Sequence, residues 1–362
     1  MGRKTTWLMG LFGALALLAA GCGQPPPETD TGAGSSNQQA AKDFRACMVT
    51  DSGGIDDRSF NQTSWEGVQQ AVKEFGIKSA VLESNSNADF VPNISQFVQQ
   101  DCNLIITVGF LLADATEQAA KANPDQKFAI VDYLYKEPID NVKPLVFNTA
   151  EAAFKAGYVA AGMTKTGKVA TFGGIKIPTV TIFMDGFWQG VQYHNQQKGT
   201  DVQVLGWNQQ TQTGSFTGDF TDQAKGKILT ENFIRQGADI IMPVAGPVGL
   251  GAAAAAQESA GTKIIWVDTD GCISAPQYCG VFLTSVMKGL DVAVKAVINA
   301  TLNDKFVSEP YIGTLKNEGV QLAPFHEFED DVPTELKNEL EKITEGITSG
   351  TIKITSPAQP GT

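Results

Sequence analysis

Three aspartates, a lysine, an asparagine and two phenylalanines carry the chemistry this chain is equipped for. Asp51, Asp132 and Asp268 each close a short apolar run, and in a parallel α/β sheet ligands bind at the carboxyl ends of the strands. A carboxylate there can accept bonds from paired hydroxyls or a ring N–H, and charge-assisted bonds are the stronger kind. Asp51 opens the stretch D-S-G-G-I-D-D-R-S-F-N, where a double glycine and a charged cluster lead to Phe60 and Asn61 at the start of a helical pattern. A phenyl ring beside a cleft can stack on a flat aromatic ligand. Lys288 adds a cation, and Gly246, in V-A-G-P-V-G-L-G, opens a turn whose bare N–H could reach a ligand oxygen. That turn is not G-x-G-x-x-G, so dinucleotide binding has little support. Each residue also has a structural reading. A strand-end Asp often caps the next helix, a Phe at a helix start packs in a core, Lys288 could begin a surface helix, and Gly246 could serve tight helix packing. Asp56, Asp57 and Arg58 read as a solvated, lip-forming cluster.

Composition narrows the function classes. The 362 residues are 42% hydrophobic and 18% charged, as expected for globular domains, two by length. A net charge of −12 and a pI near 4.7 argue against nucleic acid, whose phosphates need Lys and Arg, and against a polybasic membrane patch. Only two histidines are present, and G-x-S-x-G, H-E-x-x-H and the P-loop are missing. Acid–base catalysis has little to work with, and no metal or cofactor is expected.

The N-terminus reads as an export signal, residues 1–21. Arg3 and Lys4 precede an apolar stretch too short for a membrane span. The run L-L-A-A-G-C resembles a bacterial lipobox, with Cys22 as the acylated first residue (palmitate or a similar chain) of a membrane-anchored mature protein. Ala19 stands where Leu is usual, one place after Leu18. Residues 22–42, rich in Pro, Gly, Ser and Gln, read as a tether. Four cysteines remain, and export to an oxidising compartment favours two bridges. Cys47 and Cys102 each start an apolar run, which neighbouring strands would bring together; Cys272 and Cys279 flank a short loop.

The elements that must position these groups alternate. Strands are predicted at 45–50, 79–83, 103–108, 127–132, 144–148, 168–172, 202–206, 239–244, 263–268 and 281–284. Helices fall between them, with a last one at 332–349, which predicts parallel sheets under helices. The chain also repeats itself. At an offset of 136, residues 97–109 lie over 233–245 and 127–132 over 263–268; W-E-G-V-Q at Trp65 recurs as W-Q-G-V-Q at Trp188, and G-G-I at Gly53 recurs at Gly173. Two similar lobes across a cleft follow, with Asp132 and Asp268 equivalent. On the G-G-I match Thr171 stands opposite Asp51, and the glycine turn belongs to the shared scaffold.

Taken in order, V-T-D-S-G-G-I-D-D-R-S-F-N-Q-x-x-W-E-G, F-G-G-I-K-I-P-T-V at Phe172, F-T-D-Q-A-K-G-K at Phe220, V-A-G-P-V-G-L-G at Val244, V-D-T-D at Val267 and L-T-S-V-M-K at Leu283 resemble the basic membrane protein family. These are lipoprotein solute-binding components of ABC importers, with the type I periplasmic-binding-protein fold. The likeness implies two Rossmann-like lobes joined by about three crossovers, placed near Asn148, Asp270 and Asn303. The first lobe is then 43–148 plus 271–303, the second 149–270 plus 304–355. It implies a nucleoside ligand, purine favoured, enclosed by lobe closure, and an ABC permease as partner of a monomer held to the outer face of the membrane. Phe60 becomes a stacking ring. Phe220 is the second, with Phe216 as rival because G-S-F and F-T-D are separated here. Asp268 and Lys288 would hold the ribose, and Asp51, Asn61 and Asp132 the base edge. A sensor lipoprotein with a signalling partner and a nucleoside-hydrolysing enzyme are the alternatives.

Overall fold

The structure is a computed structural model that describes residues 41–361; the expected signal peptide, Cys22 and nearly all of the tether lie outside the described residues. Runs of aliphatic residues form the first five strands, β1 (Arg45–Thr50), β2 (Lys78–Leu82), β3 (Leu104–Val108), β4 (Lys127–Val131) and β5 (Val142–Phe147). With β13 (Tyr311–Gly313) they make a six-stranded sheet in the order β13-β5-β4-β3-β1-β2. The second sheet uses β6 (Lys168–Gly173), β7 (Gln203–Leu205), β10 (Ile240–Val244), β11 (Lys263–Asp268), β12 (Phe282–Lys288) and β14 (Val320–Leu322) in the order β14-β12-β11-β10-β6-β7. A small hairpin, β8 (Trp207–Asn208) with β9 (Thr213–Gly214), stands apart. The central strands β3 and β10 are buried along their whole length, because helices cover both faces of a parallel sheet.

The helices pair in the same way in both lobes. In the first, α1 (Phe60–Phe75) packs with α9 (Leu290–Leu302) on one face, and α2 (Phe90–Gln99) with α3 (Ala113–Ala122) on the other. In the second, α4 (Ala150–Met163) packs with α5 (Pro178–Lys198), and α6 (Gln223–Arg235) with α7 (Val248–Gln257). The short α8 (Gly271–Ser274) and the last helix, α10 (Thr334–Thr348), complete the second lobe, α10 lying against α4. The repeated tryptophan motif explains a matched feature of this packing. A Cβ on Gly67 would come within 2.5 Å of the Asp291 carbonyl oxygen, and one on Gly190 within 1.9 Å of the Phe154 carbonyl oxygen. Each lobe thus needs a glycine for one helix backbone to approach another.

The duplication is real but its register differs from the sequence match. Thr50 pairs with Val108, and Gly173 with Val244. Since Val108 and Val244 are equivalent at offset 136, Thr50 is equivalent to Gly173 and Asp51 to Gly174. Thr171 therefore matches Met48, not Asp51. The two G-G-I turns are not equivalent either: Gly173 ends a strand, while Gly53 and Gly54 lie beyond one at φ 125° and 71°. A two-letter glycine match cannot compete with the hydrogen-bonding register of whole strands.

The chain leaves the first sheet after Phe147 and enters the second at Lys168. The other two crossings fall elsewhere. β12 stays in the second sheet beside β11, so the chain crosses after Lys288 and not near Asp270. α9 and β13 belong to the first lobe, and the return lies between Gly313 and Val320, not near Asn303. Residues 271–288 move to the second lobe as a result, and 304–313 to the first. The expected strand at 281–284 was too short; its full length to Lys288 gives it a place against β11. Both expected disulfides are present, Cys47–Cys102 with Cα atoms 6.1 Å apart and Cys272–Cys279 at 4.6 Å. Among the described residues no helix is long and apolar enough to cross a membrane.

Candidate ligand-binding cleft

The carboxyl ends of both sheets open on one cavity. Asp51, Phe60, Asn61, Asp132, Phe220, Gly246, Asp268 and Lys288 all line it. Asp132 and Asp268 leave β4 and β11 in the same unusual left-handed conformation, φ 66° and 70°. Few side chains other than Gly, Asn and Asp tolerate that region. Their equivalence, read from the repeat, thus extends to the backbone turn that aims each side chain.

Lys288 ends β12 between these two acids. Its ammonium lies 2.5 Å from Asp132 Oδ2 and 3.5 Å from Asp268 Oδ1. The rings of Phe60, Phe183 and Phe147 stand 4.9, 5.2 and 5.9 Å from it, a cation–π surround. Burial works against the lysine charge, but the two carboxylates outweigh it and hold its pKa above the ordinary value. Burial also raises Asp132 against the pull of Lys288. The 2.5 Å contact favours the ion pair, since separating two buried charges leaves each uncompensated. Lys288 is no surface lysine: it is buried and pairs with both Asp132 and Asp268.

Asp51 and Asn61 make a second polar group. Asn61 Nδ2 donates to Asp51 Oδ1 at 2.8 Å, while Asn61 Oδ1 is buried with no partner. Burial pushes the Asp51 carboxyl up to about 8, against the Asn61 bond and aided by Asp57, Asp132 and Asp268. Gly109 makes room for it: a Cβ there would sit 2.6 Å from Asp51 Oδ2, on a backbone at φ 119°. Asp57 corrects the reading of a solvated lip. It is 3% exposed and accepts the backbone N–H groups of Ser59, Asn61 and Gln62 at 2.9, 2.8 and 3.0 Å. These are orphan donors of the first turn of α1, so Asp57 fixes Phe60 and Asn61 in place and itself lines the cavity. The Asp-x-Ser-Phe spacing ahead of a helical pattern was the available signal. Asp56 and Arg58 are exposed.

Of the two candidate rings in the second lobe, Phe220 lines the cavity. Phe216 packs edge-on to Trp207, 6.1 Å between centroids. Gly174, at the place Asp51 holds in the first lobe, clears space for Phe220, whose ring a Cβ would meet at 2.4 Å. Gly246, φ 51°, opens the turn into α7 with nothing nearer its missing Cβ than the Phe220 carbonyl oxygen at 3.9 Å. Phe110 and Phe183 also line the cavity; nothing in their sequence neighbourhoods separates them from core residues. The lobes touch at its rim, where the Ser59 hydroxyl donates to Asp268 Oδ2 at 2.7 Å and Trp266 Nε1 to the Arg58 carbonyl at 3.3 Å.

With this geometry in hand, the comparisons with known proteins are consistent with one another. A family model described as ABC transporter substrate-binding protein, PnrA-like, matches residues 44–356. The ABC transporter nucleoside-binding protein BmpA of Lactococcus lactis subsp. cremoris is 32% identical over 90% of this chain and 93% of its own. Basic membrane protein A1 of Borrelia garinii is 29% identical over 82% of this chain and 83% of its own. Among solved structures, a solute-binding protein of an ABC transporter system from Aeropyrum pernix superposes with a TM-score of 0.79 at 27% identity, covering 87% of this chain and 94% of that one. Two mostly parallel sheets, one cleft between their carboxyl ends and a family match along nearly all of the described chain lead to one conclusion: this protein belongs to the PnrA-like family of ABC transporter substrate-binding proteins.

Proposed function

We propose that the protein binds a nucleoside, a purine nucleoside by preference, closes its two lobes over it and delivers it to a membrane permease. The observation that carries this reading is the meeting of Phe60 and Phe220, one from each lobe, in a cavity that also holds Asp51, Asn61, Asp132, Asp268 and Lys288. A base would stack on the two rings. Its edge would face Asp51 and Asn61, where the unpartnered Asn61 Oδ1 can accept an N–H and a protonated Asp51 can donate. The ribose hydroxyls would bond to the set formed by Asp132, Lys288 and Asp268, with Asp132 here on the sugar side. Gly246 would offer its backbone N–H. The name of the Lactococcus relative, a nucleoside-binding protein, supports the ligand class. Neither histidine lines the cavity, which gives a hydrolase no imidazole there. We assign the anchor to acylated Cys22, with the protein on the extracytoplasmic face as a monomer.

A melting assay with adenosine, guanosine, inosine, free bases and sugars tests the ligand class. A purine nucleoside should raise the melting temperature by mass action, about 2.7 kcal/mol of added stability at a hundredfold excess over Kd. A shift with a sugar and none with any nucleoside would end the nucleoside reading. Phe60→Ala should weaken binding by 1–3 kcal/mol, about 5- to 150-fold, and leave the ligand-free protein folded. Unchanged affinity would remove Phe60 from the site.

A further inference from the structure

A second compartment adjoins the main cavity and has no part in the binding described so far. It shares Phe110, Asp132, Thr179 and Lys288 with the first and holds about 910 Å³ of space, counted to its open mouth. Its outer wall is residues 357–361. This stretch is fastened to the second lobe: the Ser356 hydroxyl donates to buried Asp185 Oδ2 at 2.6 Å, and the Thr355 carbonyl accepts from Gln189 and Gln209 at 2.7 and 2.6 Å. It then reaches the crossing and the first lobe, where Gln359 Nε2 donates to Asn148 Oδ1 at 3.2 Å and Gly361 lies beside Ile312 of β13.

The rest of the lining is mostly apolar, with Phe147, Ile182, Pro357 and Ala358 prominent.

We infer that this compartment is a second subsite, taking an uncharged substituent on the 5′ carbon of a nucleoside. The inference rests on the nucleoside reading above. If the paired 2′ and 3′ hydroxyls engage Asp132, Lys288 and Asp268, the 5′ carbon is the ribose position left to carry a group past Asp132 and Lys288. A 5′-phosphate does not suit it. Among the described residues Lys288 is the only Lys or Arg lining the compartment, and it is already shared between Asp132 and Asp268. A thioether or ether carries no charge and brings an alkyl group to the apolar wall.

Calorimetric titration of adenosine and inosine, their 5′-methylthio derivatives and their 5′-monophosphates tests this. The methylthio compounds should bind at least as tightly as their parents, and the monophosphates about tenfold or more weaker. Ala358→Trp, which fills the compartment, should weaken the methylthio compounds about tenfold relative to the parents, and a chain ending at Thr355, which lacks the outer wall, should weaken them relative to the parents in the same direction. Retained parent binding certifies that both variants fold. Parents that bind while the methylthio compounds fail, monophosphates that bind more tightly than parents, or a ratio unmoved by Ala358→Trp would each overturn the subsite alone. Failure of every nucleoside to bind would overturn the nucleoside reading, and the subsite with it.

Discussion

Asp51 has surroundings in which a carboxyl group keeps its proton. Burial pushes it up to about 8, and Asp57 is raised by burial to about 6. In the unfolded chain both titrate near 4. Between those values the folded state therefore binds more protons than the unfolded state, and stability falls as pH rises. Ligand-free protein should lose melting temperature from about pH 4 to about pH 8, with Asp57 contributing in the lower half and Asp51 across the whole window. Asp51→Asn should flatten the upper part of that profile, so that its advantage over the parent is larger at pH 8 than at pH 4. Parallel melting profiles would show that Asp51 ionises normally. Gly109 belongs to the same argument, since any Cβ there collides with the Asp51 carboxylate.

The strands hold these residues through pairings, one of which a disulfide reinforces. Cys47 lies within β1, and Cys102 just precedes β3, the strand paired with it. Closing a loop of sequence separation 55 restricts the unfolded chain more than closing one of 7. On the loop-entropy account the first bridge contributes about 4 kcal/mol and the second about 2.5 kcal/mol. Cys47→Ala with Cys102→Ala should therefore lower the unfolding free energy more than Cys272→Ala with Cys279→Ala, as read by denaturant titration. Asp51 sits four residues beyond Cys47, about 13 Å along the strand, so ligand affinity should change little beside the stability loss. Equal losses for the two pairs would contradict the loop-entropy account.

At the scale of the molecule, three crossings connect lobes that meet at the cleft rim through Ser59 with Asp268 and Trp266 with Arg58. A ligand bonded to both lobes adds contacts only the closed form can make, which biases the equilibrium toward closure. Small-angle scattering should show a smaller radius of gyration with a saturating nucleoside than without. Ser59→Ala removes one bond across the rim and should speed ligand release while leaving the stacking rings in place. An unchanged radius together with unchanged release would mean that the lobes are fixed in one arrangement.

The sequence by itself determined what depends on neighbours along the chain. Apolar runs marked five strands of each sheet, strand ends marked Asp51, Asp132 and Asp268, and the starts of two runs marked the Cys47–Cys102 pair. The short strands β8, β9, β13 and β14 escaped notice because each is only two or three residues long and gains its place from a partner strand. Only the tertiary structure decided which sheet β12 joins, which ring of Phe216 and Phe220 reaches the cleft, and that Lys288 pairs with both Asp132 and Asp268. It alone showed that Asp57 is a buried cap and that residues 357–361 wall a second compartment. Each of these outcomes rests on strand register or on packing between residues far apart in the chain, and a hydrogen-bonding register is a property of two strands, legible in neither one alone.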